Sequence, residues 1–304
     1  MIRSKYSTHM GLIGMAALWG ASWPWGRVVA QAMPPLAAAS LRFLLASVVL
    51  LLWMQRSGRL PALARMQPRQ WLGMAAASAA GVLGYSTFFL FALQLVPAGK
   101  AAIVITLNPA MTLLLAALLF REALNWTIGL GVAMAIAGAA WAISSGARAD
   151  VLTGPLGLGE LLLLGCVICW VAYTLIGRVV LASIDAVTTS TVTAVMGTAM
   201  LLVASLSIEG PSAWPALAQA PQSVWLCLVA LALGSTALAY AWYFQGVKEL
   251  GAGAAAGYMA LVPVFGLLFS SLWLDEPLSF PLVAGGLLAI AGMVVMHYGR
   301  LRAR

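Results

Sequence analysis

Charged residues and histidine are scarce in this chain. Only 8% of the 304 residues are charged, whereas a soluble domain carries about 25% charged residues. The two histidines, His9 and His297, stand near opposite ends of the sequence. They cannot assemble a catalytic triad or a metal cluster inside an apolar chain, so we expect no enzyme activity, no cofactor and no metal site.

Long polar stretches are also missing. Hydrophobic residues make up 63% of the chain and the mean hydropathy is +0.99, and a helix needs about 20 apolar residues to cross a bilayer. The sequence therefore predicts an all-α integral membrane protein with short loops and no soluble catalytic domain. Ten apolar windows are long enough to be transmembrane helices: 11–30, 34–54, 71–94, 98–120, 125–143, 156–177, 186–207, 224–246, 250–273 and 279–298.

The basic residues are unevenly distributed. The net charge is +8, but twelve of the sixteen Lys and Arg residues lie on one side of the membrane if the windows alternate in direction. Such a bias marks the cytoplasmic side, so we predict a bacterial inner-membrane protein with both termini in the cytoplasm and no nucleic-acid partner. The twelve are Arg3, Lys5, Arg56, Arg59, Arg65, Arg69, Arg121, Arg178, Lys248, Arg300, Arg302 and Arg304.

An internal repeat covers the middle and the end of the chain. When residues 99–138 are moved forward by 154 positions onto residues 253–292, fifteen of forty positions are identical without a gap. The matches include glycine, proline and glutamate, which a shared apolar composition does not explain. These matches are Gly99/Gly253, Pro109/Pro263, Glu122/Glu276, Gly131/Gly285 and Gly138/Gly292.

A second match, at an offset of 151, extends the repeat to the first window. Trp19 recurs as Trp170, and the run Gly-Arg-Val-Val at 26–29 recurs at 177–180. The N-terminal segment is therefore interpreted as a retained helix rather than a signal peptide. Each copy holds five windows, and an odd number puts the second copy in the opposite orientation. We predict two inverted repeats, residues 1–150 and 151–304, around a central cavity, a plan common among secondary transporters.

The order of several motifs resembles a known family. The first window contains Leu-Trp-Gly-x-x-Trp and the second contains Arg42-Phe43. Each half then contains Gly-x-Ala-Ala, a proline, Leu-x-x-x-Glu-x-Leu and a glycine-rich helix. Over nearly its whole length the chain is similar to the EamA-type members of the drug/metabolite transporter superfamily, and within them to YddG-like exporters of aromatic or other neutral amino acids. The resemblance implies ten helices in two inverted halves around a cavity and the export of small metabolites.

Aromatic and polar residues inside the windows are the candidate substrate contacts. The small multidrug members of the superfamily use a carboxylate in the first helix, and residues 11–30 contain none. We therefore expect an uncharged or zwitterionic substrate held by aromatic faces and hydrogen bonds. Aromatic belts at the membrane interface are the alternative for each Trp and Tyr. The candidates are Trp19, Ser22, Tyr85, Asn108, Trp170, Tyr173, Tyr240 and Tyr258.

Arg42, Pro109 and Pro263 are candidate gating or hinge residues. Arg42 is ionisable inside a window, where a charge is costly. It either anchors a substrate carboxylate or gates the site, or it packs against helix ends and carbonyls. A mid-helix proline removes a hydrogen bond and leaves a kink, which either bends during transport or stays fixed.

Other conspicuous residues are interpreted as structural. Cys166 and Cys169 share one face of a helix and are expected to pack. Glu122 and Glu276 each precede a window, so we interpret them as caps on the helix that follows. Glu160 stands near the end of the sixth window, from which it can reach the interface.

The sequence as a whole favours a secondary transporter that exports small neutral or zwitterionic metabolites, above all amino acids, by alternating access. The alternatives are a multidrug efflux transporter and a passive metabolite channel. The expected surroundings are a small-molecule substrate and the lipid bilayer. The sequence leaves the oligomeric state open.

Overall fold

The computed structural model describes residues 2–121, 125–144, 157–180, 184–250, 255 and 257–302. Within these ranges the chain is helical and contains no β-strand, which confirms the predicted all-α class. Glu122 and Gly253 of the internal repeat lie outside the described residues.

Long helical segments follow one another along the described ranges. Proline occupies the first position of the second and third segments, where its missing N–H has no intrahelical partner to lose. Short helices, Pro61–Ala64 and Ala213–Leu217, lie in two of the connections. The long segments are α1 (Ile2–Ala32), α2 (Pro35–Arg56), α3 (Pro68–Leu95), α4 (Ala98–Phe120), α5 (Trp126–Ser144), α6 (Leu158–Val180), α7 (Ala186–Ala204, continued by Ser205–Glu209), α8 (Gln222–Leu250), α9 (Tyr258–Leu274) and α10 (Phe280–Arg302).

Seven of the segments in the described part of the chain are long and apolar enough to cross a membrane: α2, α3, α4, α6, α7, α8 and α10. Helices α5 and α9 are shorter apolar helices. These features indicate a multi-pass membrane protein, whereas a topology of ten spans stays a prediction. Helix α1 is not among the seven because serine, glycine, tryptophan and proline dilute its apolar residues. It packs against α3, α4, α8 and α9, so protein rather than lipid surrounds much of it.

Two pairs of helices bring corresponding parts of the two halves together. Helix α5 packs on α10, and α2 packs on α7. In the first pair, glycines allow the backbones to approach closely. A Cβ placed at Gly131 would lie 2.6 Å from the Gly292 carbonyl oxygen, and one at Gly285 would lie 2.6 Å from the Gly138 carbonyl oxygen. Gly131 thus contacts the repeat counterpart of Gly138, and Gly138 contacts the repeat counterpart of Gly131, so the contact is reciprocal.

Several helices depart from regular α-helical geometry. Helices α3 and α8 contain π-helical stretches, Ala79–Gly84 and Ala230–Leu238. Helix α4 is interrupted at 105–106, and α9 begins with the 3₁₀ turn Tyr258–Leu261. Pro109 and Pro263 follow these irregularities, and neither can donate a hydrogen bond to the carbonyl four residues earlier. Both prolines adjoin an irregular turn, and motion at that turn stays a prediction.

An ion pair and a helix cap connect four helices at one end of the bundle. The interpretation of Glu276 as a cap on the following helix is wrong, because its carboxylate accepts hydrogen bonds from the backbone N–H groups of Ala98 and Gly99 at the start of α4, at 2.7 and 2.8 Å. Arg27 Nε lies 3.4 Å from Glu276 Oε1. The Arg27 guanidinium also donates to the Val96 carbonyl at the end of α3. A negative charge at a helix N-terminus is favourable because of the helix dipole.

The same end carries two further carboxylate contacts. Glu209 at the end of α7 accepts hydrogen bonds from the backbone N–H groups of Leu36 and Ala37 at the start of α2, at 2.7 and 2.8 Å. Lys100 Nζ lies 2.7 Å from Glu160 Oε1, so the sixth window's glutamate forms an ion pair with α4. Carboxylates thus connect helices of both halves at this end.

Candidate functional site

Five of the predicted substrate contacts converge inside the bundle. The Trp19 ring lies edge-on to the Tyr240 ring with centroids 5.4 Å apart. The Tyr85 and Trp170 centroids are 5.6 Å apart, and those of Trp170 and Tyr173 are 6.0 Å apart. The two groups of rings meet at Arg42, which donates to Thr236 one turn before Tyr240 and lies 5.7 Å from the Phe89 ring that stacks on Tyr85. We call the five predicted contacts the aromatic cluster; they come from α1, α3, α6 and α8.

The π-helical stretches help to position the cluster. The stretch in α3 ends directly before Tyr85, and the stretch in α8 ends two residues before Tyr240. A π turn widens the helix locally and is frequent at functional sites. Within the second stretch, Ser235 accepts a hydrogen bond on its carbonyl from Trp19 Nε1 at 2.9 Å. The cluster is thus attached to irregular backbone on α8.

Small residues make room for the rings. A Cβ placed at Gly81 would overlap the Tyr173 ring. Likewise, a Cβ placed at Gly84 would lie 2.7 Å from Cys169 Sγ. The Cys169 thiol therefore packs against α3. The Cys166 thiol points at the Tyr85 carbonyl, at 3.8 Å. Both cysteines are free, in agreement with the packing role that their spacing predicts.

Arg42 of α2 lies beside the aromatic cluster. Tyr85 of the cluster stacks on Phe89, which Arg42 also contacts, with ring centroids 6.0 Å apart. The guanidinium carbon lies 5.2 Å from the centroid of the Phe43 ring and 5.7 Å from that of Phe89, which are cation–π distances. The residue is thus an arginine among aromatic rings in the interior of a membrane protein.

The residues of the cluster lie deep in the protein and still retain accessible surface. Tyr85, Tyr173, Tyr240 and Arg42 have many surrounding protein atoms, and each is partly exposed by surface area. Aromatic rings together with a few polar groups are the usual lining of small-molecule sites.

Three other predicted substrate contacts are not part of the aromatic cluster. Tyr258 bonds through its hydroxyl to His9 Nδ1 at 2.6 Å. The Ser22 hydroxyl donates to the Trp19 carbonyl of its own helix at 2.6 Å. Asn108 is buried, and within the described residues its Oδ1 has no hydrogen-bond partner.

Two polar residues near the cluster were not predicted from the sequence. Arg42 Nη2 donates to the Thr236 hydroxyl at 3.4 Å, and the Thr193 side chain of α7 interacts with Tyr173. Threonine is common in apolar helices, where its hydroxyl usually bonds to its own helix, as Thr236 does to Leu231. Gly234 within an apolar run is the sequence signal that could have indicated an irregular stretch in α8, because glycine is frequent where helices are irregular.

Two clefts on the bundle are lined by apolar side chains. One lies between α3 and α7 and includes Leu83 and Met200; the other lies between α4 and α6 and includes Met111 and Val171. Neither cleft includes a predicted site residue. Apolar grooves between helices are expected on a surface that faces lipid.

Comparison with known proteins identifies the family. A family model described as "EamA-like transporter family" matches residues 7–144 and 157–298. The chain belongs to the EamA-like transporter family. The EamA assignment agrees with the motif order and with the apolar helices, and it makes the protein a transporter of the drug/metabolite transporter superfamily.

Several EamA-like relatives match most of the chain. The uncharacterized transporter YyaM of Bacillus subtilis (strain 168) is 26% identical over 287 residues, which is 94% of this chain and 92% of the relative. A probable terminal-alkyne amino-acid exporter of Streptantibioticus cattleyicolor is 27% identical over 232 residues, or 76% of this chain and 74% of the relative. One solved crystal structure superposes with a TM-score of 0.65 at 25% identity and covers 93% of this chain and 94% of that chain.

Proposed function

We propose that this protein is a secondary transporter that exports small neutral or zwitterionic amino acids by alternating access. The observation that carries the proposal is the aromatic cluster of Trp19, Tyr85, Trp170, Tyr173 and Tyr240. Its members come from helices of both halves of the chain. Aromatic faces bind apolar side chains, and the hydroxyls and indole N–H groups supply hydrogen bonds to a zwitterion. The similarity to a probable amino-acid exporter also supports this substrate class.

Two inverted five-helix repeats are part of the proposal. The reciprocal contact of Gly131 with Gly292 and of Gly138 with Gly285 supports a twofold relationship between α5 and α10. Equivalent backbone features support it as well, because Arg121 and Asp275 are 154 positions apart and both adopt positive φ angles, of 54° and 52°. Inverted repeats allow the two halves to exchange conformations, so that the site opens to alternate sides.

We propose that the structure represents a conformation in which the substrate site is closed toward the outside. With both termini in the cytoplasm, the end that carries the Arg27–Glu276 contact faces outward. There the carboxylate of Glu276 holds the start of α4 while Arg27 holds the end of α3. Export then requires these contacts to separate, with Pro109 and Pro263 as hinges and the aromatic cluster as the substrate site.

Reconstitution tests the proposal. Purified protein in liposomes is given labelled phenylalanine, with each of the twenty amino acids as a competitor. We expect saturable flux that neutral and aromatic amino acids inhibit most strongly. Flux is expected to fall at least tenfold for Trp19→Ala and Trp170→Ala, but not for Trp126→Ala, because that ring is 83% exposed at the start of α5.

Other outcomes would assign one of the alternatives. Flux that rises linearly with concentration, together with ionic conductance, indicates a passive channel. Resistance of cells to cationic drugs without amino-acid flux indicates a multidrug exporter. Absence of saturable flux for every neutral amino acid would refute the proposed substrate class.

A further inference from the structure

Arg42 is on the inner face of α2. The exposed side of this helix carries Leu44, Val48, Leu51 and Leu52, and the helical period of 3.6 residues places Arg42 on the opposite side. The Phe89 ring, which stacks on Tyr85, lies 5.7 Å from the Arg42 guanidinium carbon. Arg42 Nη2 donates to Thr236, one turn before Tyr240. The guanidinium therefore points into the protein and cannot reach the membrane interface along the helix surface.

No carboxylate among the described residues compensates this charge. Asp and Glu number eight in the sequence, and the six that are described all stand at or near helix ends. The carboxylates with described partners bind helix N-termini or groups of other helices, as Glu209, Glu276, Glu160 and Asp185 show. Ionisable groups inside membrane proteins normally pair with one another or with carbonyls, so a missing counter-charge here needs an explanation.

The hydrogen-bonding capacity of Arg42 is also largely unused. A guanidinium carries five N–H donors. Arg42 Nε is buried without a partner in the described part of the chain, and the bond from Nη2 to the Thr236 hydroxyl is long, at 3.4 Å. A carboxylate would satisfy these unused donors, because it accepts two parallel hydrogen bonds from an arginine guanidinium. It would also supply the missing negative charge.

The surroundings of Arg42 determine what the rest of the ligand looks like. The aromatic cluster offers ring faces for an apolar body. The position 151 residues after Arg42 is Thr193, so the other half of the chain contributes a hydroxyl instead of a second cation. Within the described residues no acidic side chain faces the cluster to receive an ammonium group.

We propose that Arg42 binds the carboxylate of the substrate and that the site selects apolar monocarboxylates whether or not they carry an α-ammonium group. The proposal rests on the transport function proposed above and widens its substrate class beyond amino acids. It assigns recognition to the carboxylate, because the site offers a cation for that group and no anion among the described residues for the amine.

A ligand series on the wild-type protein tests this selectivity. Binding to purified protein in detergent is measured by isothermal titration calorimetry for phenylalanine, 3-phenylpropanoate, phenylalanine amide and phenethylamine. The four compounds share the benzyl group and differ in carboxylate and ammonium. We expect the first two to bind within about threefold of each other and the last two at least tenfold more weakly. Equal or tighter binding of the amide or the amine overturns the proposal.

Variants of Arg42 give an independent readout. Arg42→Gln is expected to lose at least tenfold in affinity for both carboxylates and nothing for phenethylamine, and Arg42→Lys, which keeps the charge without the fork, is expected to be intermediate. Arg65→Gln, at an exposed position outside the helices that form the site, is the matched control and should leave both affinities unchanged. Unaltered carboxylate binding by a folded Arg42→Gln overturns the proposal.

The two levels of inference fail in different ways. Saturable phenylalanine flux together with carboxylate-independent binding rejects the role of Arg42 and leaves amino-acid transport standing. Tight binding of 3-phenylpropanoate without flux of any amino acid supports the role of Arg42 and rejects amino-acid export. The ligand series uses the native protein, so it decides the proposal even if the Arg42 variants do not fold.

Discussion

The hydroxyl of Ser47 on α2 lies 3.2 Å from the hydroxyl of Thr198 on α7, and the two residues are 151 positions apart. The same offset relates Trp19 to Trp170 in the sequence. A residue that touches its own counterpart lies on the axis that relates two copies. The contact therefore supports a proposed twofold axis between α2 and α7.

The strength of this contact can be measured with a double-mutant cycle. Thr198 Oγ1 donates to the Ala194 carbonyl, so the Ser47 hydroxyl is the donor to Thr198. We expect Ser47→Ala and Thr198→Val to be coupled by about 0.6 kcal/mol, the average for hydrogen bonds between membrane helices. Unfolding of the four proteins in detergent gives the coupling energy. Strictly additive effects would contradict the hydrogen bond.

The close packing of α5 on α10 predicts that one added methyl group lowers the stability of the protein. A Cβ at Gly138 would overlap the backbone nitrogen of Ala289, so the helices must move apart in Gly138→Ala. We expect a destabilisation of about 1–3 kcal/mol, the usual cost of overpacking, measured by thermal unfolding in detergent. Gly129→Ala on the same helix is the control, because a Cβ there meets nothing within 4 Å. Equal stability of the two variants would contradict the packing.

The position of the Tyr173 ring depends on Gly81. Since a Cβ at Gly81 would overlap this ring, Gly81→Ala is expected to displace Tyr173 and to reduce amino-acid flux in liposomes at least tenfold. Gly129→Ala serves again as the control and should keep full flux. Normal flux in Gly81→Ala would show that the position of Tyr173 is unimportant for transport.

The Arg27–Glu276 contact predicts a conformational change on neutralisation. Glu276→Gln removes the charge that holds Arg27 and the start of α4, so we expect the outer end to open more often. A single cysteine introduced as Tyr85→Cys, in a background with the three native cysteines replaced by alanine, reports this as faster labelling by a charged thiol reagent added from outside.

The same labelling experiment includes its own controls. The labelling rate of the Tyr85→Cys background that keeps Glu276 is the reference. Glu249→Gln alters a carboxylate that binds Thr8 at the opposite end and is expected not to increase labelling from outside. A rate in Glu276→Gln no higher than the reference would refute the gating role.

The carboxylate of Asp185, in the connection between α6 and α7, predicts a pH dependence. Partial burial opposes its ionisation, but hydrogen bonds from Thr188 and Val187 and the Arg59 charge outweigh burial, so the pKa of Asp185 is lowered. Arg59 Nη1 lies 2.8 Å from Asp185 Oδ1. Because the folded-state pKa lies below the unfolded value of about 3.9, the stabilisation is complete above that value and is lost as pH falls through the folded pKa.

Asp185→Asn isolates the contribution of this charge, since asparagine also caps helices well. We expect wild-type protein to melt at a higher temperature than Asp185→Asn at pH 7, and the difference to shrink toward pH 3. Melting curves in detergent across this range measure it. A difference that grows as the pH falls would contradict the lowered pKa.

Local properties of the sequence were sufficient to predict the helices. An apolar window that folds as a helix satisfies its own backbone hydrogen bonds, which the bilayer requires of a spanning segment. Aromatic residues well inside the windows, such as Trp19 and Trp170, also proved to be neighbours of other rings rather than isolated side chains. Their depth in the window was the useful signal.

Contacts between helices were not predictable in the same way. Glu276 was assigned to the helix that follows it, but its carboxylate caps α4, which is distant in the chain. The sequence also did not indicate that the hydroxyl of Tyr258, which stays a predicted substrate contact, bonds to His9. The rotation and the order of the packed helices determine which residues are in contact. The apolar pattern of the sequence constrains neither of them when most helix faces are apolar.

By itself, then, the sequence determined the helical class, the membrane environment and the resemblance to the EamA-like family, because length, hydropathy and motif order are properties of single segments. Only the tertiary structure decided that Arg42 of α2 lies beside the aromatic cluster, against the Phe89 ring, without a described carboxylate partner. The physical reason is that the groups around a buried side chain come from other helices, and the packing alone determines which groups are near.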